Sequence, residues 1–147
     1  MVDLNSSQSL SDAIELMYFA YRGFTSQADK ILEGRGLNRV HHRILYFIGR
    51  HPNITIGQLI KTLAVSKQAL NAPLRQLIEM NLVSQNTDQE DRRVKRLLLT
   101  ASGKRLETSL TGKQTAQLKT AFETIDPNNV EVWYRVMTAL SGSAVKA

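Results

Sequence analysis

The chain has 147 residues, 42% hydrophobic and 22% charged, which suits one globular domain with a real core. It holds no cysteine and only three histidines, His41, His42 and His51, which excludes disulfides, thiolate metal sites and thiol redox sensing. The net charge is +6; the segment Leu37–Thr100 has ten basic against four acidic residues, while the flanks carry nine of each and net zero. The whole positive excess therefore lies mid-chain, where a polyanion would be drawn.

No run approaches the roughly 18 apolar residues of a membrane span. The polar start from Met1 to Ser11 has no secretory pattern, so a cytoplasmic protein is expected.

Ser11 or Asp12 is the expected cap of a first helix running to about Glu33, before Gly34-Arg35-Gly36. Leu10, Ile14, Met17, Tyr21, Phe24, Ala28 and Ile31 follow alternating steps of four and three, the seam spacing of helices that pack lengthwise on a partner. Ala13, Leu16 and Ala20 widen the stripe. This seam, with the last helix and its Trp133, predicts an obligate dimer.

A second helix is expected over about Asn38 to Arg50, with Val40, Ile44, Leu45, Phe47 and Ile48 inward, ended by His51-Pro52-Asn53. Thr55-Ile56-Gly57-Gln58 has the form of a capping box for a short third helix to about Leu63. After a tight turn at Ala64-Val65, Ser66 caps a fourth helix to about Met80, with Asn81 as its left-handed stop. The period then changes to that of two short strands, Leu82 to Thr87 and Lys95 to Leu99, joined by the polar run Asp88 to Arg93. Thr100 caps a long fifth helix carrying Leu106, Leu110, Leu118, Ala121, Phe122 and Ile125. Asp126-Pro127 opens a last one, with Val130, Trp133, Val136, Met137 and Leu140.

A capped short helix, a turn, a second capped helix and a hairpin with a basic tip form the winged helix-turn-helix order, whose second helix enters the DNA major groove. Leu70, Leu74, Leu77 and Ile78 must face the core, which leaves Lys67, Gln68, Asn71, Ala72 and Arg75 outward. Gln68 and Asn71 have the two-pronged heads that suit adenine; Arg75 and Lys67 suit guanine or phosphate. The Ser66 hydroxyl and the free amides beside it suit a phosphate. On the wing, Arg92, Arg93 and Lys95 can reach a narrow minor groove, and Asp91 is placed to fix the direction of Arg93.

The run Asp88-Gln89-Glu90-Asp91-Arg92-Arg93-Val94-Lys95-Arg96-Leu97-Leu98-Leu99-Thr100-Ala101-Ser102-Gly103 closely resembles the signature of the MarR family of transcriptional regulators. Val65-Ser66-Lys67 and Leu77 to Val83 match the same family's recognition helix and its exit into the hairpin. The resemblance implies a mainly α fold with a small β-hairpin wing, flanked by N- and C-terminal dimerisation helices. It further implies a homodimer on a pseudo-palindromic double-stranded operator, usually repressing, and often released by a small anionic or phenolic ligand. The expected division is 1–36 for the N-terminal dimerisation helix, 37–100 for the DNA-binding lobe, and 101–147 for the linking and C-terminal dimerisation helices. Three departures stand out: Ala72 where a basic residue is common, Asn81 where glycine is common, and Pro73 inside the recognition helix. Pro73 deprives the Ala69 carbonyl of its helical partner, so a bend or loosened turn is expected there.

No phosphate-cradling glycine loop, nucleophile elbow or metal spacing is present, so neither an enzyme nor a cofactor is expected. His41 and His42 are adjacent and point about 100° apart on a helix. His42 is either a satisfied packing residue or, with Tyr18, Arg22 and Tyr46, part of a pocket where dimer helices meet the DNA-binding lobe. The alternative function is a winged-helix protein-interaction module without DNA binding, against which the concentrated charge argues.

Overall fold

The computed structural model describes residues 1–142, so positions 143–147 of the expected C-terminal segment lie outside the described residues. Six helices and a small antiparallel sheet follow in the order α1 (Ser7–Glu33), α2 (Arg39–Arg50), β1 (Ile54–Thr55), α3 (Ile56–Leu63), α4 (Lys67–Glu79), β2 (Val83–Thr87), β3 (Lys95–Leu99), α5 (Ala101–Phe122) and α6 (Pro127–Ser141). α2 is the hub and packs on α5, β3, α4 and α3. Ile44, Leu45 and Ile48 on α2 are essentially sealed, together with Leu59, Leu70, Leu77, Leu97 and Leu110 from the surrounding elements.

Local chemistry explains most element ends. Thr55 accepts from the Gln58 amide while the Gln58 side chain accepts from the Thr55 amide, closing the expected capping box of α3. Ser66, Thr100 and Asp126 each accept an amide of the helix that they open. Ala64 and Asn81 take left-handed backbone, with φ of 53° and 58°. For asparagine this conformation is tolerable; for alanine it is held by the tight α3–α4 turn.

α1 departs from expectation at its start. Ser6, not Ser11 or Asp12, caps it, accepting the Ser9 amide at 3.4 Å. In α2, Val40 is exposed and both histidines point inward instead. With Asn38 as cap, His41 falls at the third helical position, where its Nδ1 accepts the Asn38 amide at 3.0 Å and replaces the usual glutamate or glutamine of a capping box. That bond fixes the phase and turns Val40 outward.

β1, only two residues long, has no periodicity to read, yet it adds a third strand by pairing Ile54 with Leu97 and Thr55 with Arg96. β3 is thus central, in the order β1-β3-β2. Leu82 precedes β2 as a buried turn residue, and Ile125 lies beyond α5 in the turn leading to α6.

The helix α4 continues through Pro73 from Lys67 to Glu79 without interruption, so no turn is lost at Ala69. Leu70, Leu74 and Leu77 are seated in the core on both sides of the proline, and their burial offsets the missing bond.

Two regions remain uncovered. Leu10, Ile14, Leu16 and Met17 on α1 are half or more exposed. No residue of α6 is buried, and Trp133, Val136 and Leu140 face outward.

Candidate nucleic-acid interface

The exposed face of α4 carries Lys67, Gln68, Asn71, Ala72 and Arg75, all exposed, in a row that begins at the exposed cap Ser66. Ser66 Oγ accepts the Ala69 amide at 3.0 Å, which leaves its hydroxyl proton free to donate outward. No acidic residue occupies the first turn of α4, and Lys67 opens it. The positive end of the helix dipole is therefore unopposed, as phosphate binding requires.

What aims this face was not legible in advance. His41, only 4% exposed, places Nε2 2.8 Å from Gln76 Oε1, and the Gln76 amide donates to the Gly36 carbonyl at 3.3 Å. Since His41 Nδ1 already accepts the Asn38 amide, Nε2 must carry the proton and donate. One histidine thus ties the start of α2, the turn after α1 and the inner edge of α4 together.

The wing is equally ordered. The Asp91 carboxylate accepts Arg93 N at 3.0 Å, Nε at 3.1 Å and Nη2 at 3.2 Å, while the Arg93 side chain stays 91% exposed. This is the clamp expected of Asp91. The Arg93 hydrogen bonds, side chain first and then backbone, hold the Asp91 carboxyl below its ordinary range. Arg92 is exposed beside it. The Lys95 ammonium turns back to Thr87 Oγ1 at 2.9 Å, along the hairpin rather than off its tip.

A cavity of about 370 Å³ opens where α1, α2 and α5 meet, lined by Tyr21, Arg39, His42, Arg43, Tyr46 and Thr111 among others. Of the four residues expected there, His42 and Tyr46 line it and Tyr18 and Arg22 do not. Arg22 instead lies over the rings of Tyr18 and Phe19, at 5.9 and 5.1 Å, on an exposed part of α1. Tyr21, Arg39 and Arg43 take their place. Arg39 pairs with Asp29 at 2.9 Å, and Arg43 Nη2 donates to the Tyr21 hydroxyl at 2.6 Å.

His42 is 8% exposed, and burial pushes it below its ordinary 6.5, with Asp29 opposing the shift and Arg43 adding to it. The unfolded chain therefore takes up this proton at higher pH than the folded one, and stability falls as pH drops below about 6.5. His42→Asn should flatten the dependence of unfolding free energy on pH between about 7.5 and 5.5. An unchanged slope in urea titrations would assign that dependence to another group. Asp88 and Asp91, both held below 3.8, act only in a separate, more acidic window.

A profile of the MarR family matches residues 35–94. Over 141 residues the chain is 38% identical to the HTH-type transcriptional regulator PetP of Rhodobacter capsulatus, covering 96% of this chain and 85% of that protein. Among solved structures, Streptococcus pneumoniae FabT in complex with DNA superposes with a TM-score of 0.79 at 19% identity, over 89% of this chain and 94% of that one. The S. aureus MepR in its DNA-binding conformation gives 0.76 at 21% identity, over 87% and 95%. The fold is that of winged-helix regulators, and the relatives are transcription regulators rather than enzymes. The chain belongs to the MarR family of HTH-type transcriptional regulators.

Proposed function

We propose that the protein is a dimeric repressor that grips a pseudo-palindromic double-stranded operator, with α4 in the major groove and the wing in the minor groove. The observation that carries this reading is the coincidence of three features in one lobe. These are the mid-chain excess of +6, the outward row from Ser66 to Arg75 on α4, and the clamped Arg93 at the wing tip. Ser66, Lys67 and Arg75 serve phosphate or guanine, Gln68 and Asn71 read bases, and Arg92, Arg93 and Lys95 serve the wing with Asp91 as its clamp. FabT, solved in complex with DNA, and MepR, solved in its DNA-binding conformation, support DNA as the partner. The alternative of a protein-interaction module draws no support from these relatives.

In this reading residues 1–36 and 101–147 hold the dimer and 37–100 hold the DNA. A second copy covers the exposed apolar faces of α1 and α6, which are too extensive for a monomer in water. Between them lies an apolar cavity of about 670 Å³ that a partner helix would fill. Light scattering at micromolar concentration should give twice the chain mass; a monomer would overturn the dimer. A gel-shift series should show affinity falling steeply with salt, one increment per phosphate neutralised. No duplex binding at low salt would overturn the repressor.

We infer, further, that a small anionic or phenolic effector in the cavity between α1, α2 and α5 releases the operator. Arg43 supplies the charge and the rings of Tyr21 and Tyr46 supply the apolar walls. Salicylate-like anions should give heat in calorimetry and weaken DNA binding; neither effect would remove the effector. The site of action in this reading is the cytoplasm, where operator DNA lies. Among the described residues no helix is long and apolar enough to cross a membrane.

A further inference from the structure

The wing run Arg92, Arg93, Lys95 and Arg96 looks uniform as charge, yet the structure divides it. Arg93 projects with 91% of its side chain exposed, whereas Arg96 is 40% exposed and committed at both ends of its guanidinium. Nε donates to Asp88 Oδ1 at 2.6 Å, and Nη1 donates to the Asn53 carbonyl at 3.0 Å.

Each partner is itself anchored. Asn53, at φ 69° in the loop after α2, donates its amide to the Leu97 carbonyl at 3.0 Å, so this loop meets β3 at two consecutive residues. Asp88 Oδ2 accepts the amides of Glu90 at 3.2 Å and Asp91 at 3.0 Å, shaping the hairpin turn. The Asp91 carboxylate then holds Arg93. An unbroken series of bonds runs from the Asn53 carbonyl through Arg96, Asp88 and Asp91 to the exposed Arg93 guanidinium. Arg96 faces Thr55 on β1 and Asn86 on β2, at the root of the wing, and with Leu97 it is one of two β3 residues paired on both sides.

We propose that Arg96 is a positioning residue rather than a phosphate ligand: it ties the wing to the loop after α2 and so sets the direction in which Arg93 is presented. This inference rests on the DNA-binding reading above. It gives the second oxygen of Asp88, whose Oδ2 already shapes the turn, a use that offsets the repulsion of a polyanion by this carboxylate. It also explains the side-chain type. A planar fork reaches two acceptors on different segments, and an ammonium, a single point of charge, does not hold both directions.

The test uses the full chain and one labelled duplex recovered by selection from random sequence. Arg96→Lys and Asp88→Asn should each weaken binding about tenfold, the scale of one charge-assisted hydrogen bond. Arg96→Gln should weaken it equally and leave the slope of log affinity against log salt unchanged, whereas Arg93→Ala should reduce that slope by about one phosphate per wing, about two for the dimer. In the DNA-free protein, Arg96→Lys should speed hydrogen exchange at the Glu90 and Asp91 amides while core amides keep wild-type rates. Full rescue by lysine, tighter binding by Asp88→Asn, a slope reduced by Arg96→Gln, or unchanged wing exchange would each overturn the proposal. If the wild-type chain bound no duplex, the DNA-binding reading would fall, and exchange alone would still decide whether Arg96 holds the wing.

Discussion

Gly103→Ala is expected to destabilise the fold by about 3 kcal/mol, although alanine in a helix ordinarily gains about 1 kcal/mol over glycine. A Cβ on Gly103 would run into the backbone carbonyl of Leu82. The obstacle cannot step aside, because three bonds fix this junction. The Leu82 carbonyl accepts the Thr100 amide at 3.1 Å, the Thr100 hydroxyl donates to the Asn81 carbonyl at 2.7 Å, and Thr100 Oγ1 accepts the Gly103 amide at 3.0 Å. Relief would require the start of α5 to lift from the exit of α4, breaking the cap and opening contacts of Leu82 and Leu106, both nearly sealed. Urea unfolding at fixed protein concentration measures the effect, and wild-type stability in Gly103→Ala would mean that α5 slides freely over this turn. The same variant should weaken DNA binding, because β3 enters α5 through Thr100 and carries the wing root.

How much of this was legible follows from the range of each interaction. Thr55, Ser66, Thr100 and Asp126 could be read because a cap is chemistry between neighbours in the chain. The inward leucines of α4 could be read because burial imposes a period. Ser6, the cap that the structure shows, lies one turn ahead of the apolar seam, and at a solvated helix end no apolar period tells such a serine from Ser11 or Asp12. His41 was opaque for another reason. Histidine at the third helical position stands in for glutamate or glutamine, and its second bond goes to Gln76, 35 residues away. Arg43 and Tyr21 meet across 22 residues and Arg39 and Asp29 across 10, which is why the cavity drew residues other than Tyr18 and Arg22. Periodicity tells which way a side chain points, not which partner waits there.

The charged residues carry the same lesson for function, since Arg93 and Arg96 are the same letter with opposite employment. The two halves of the interface should therefore fail differently when cut. Arg93→Ala removes an exposed guanidinium that Asp91 aims, and leaves that carboxylate unpaired and facing the groove. Binding should weaken by about tenfold or more on every duplex, with little change in base preference, because a minor-groove arginine senses width and potential more than sequence. Asn71→Ala, on the middle of the exposed α4 row, should instead lose about 1–3 kcal/mol of discrimination at one base position, symmetric in the two half-sites of a dimer. Ala72 beside it already lacks a polar head, which leaves Gln68 and Asn71 as the two-pronged amides on this face. Affinities of both variants for a set of singly substituted duplexes separate the roles: a parallel shift for Arg93→Ala, a flattened profile at one position for Asn71→Ala. Parallel shifts from both would mean that α4 contacts only backbone, and that the sequence is chosen by the shape of the duplex.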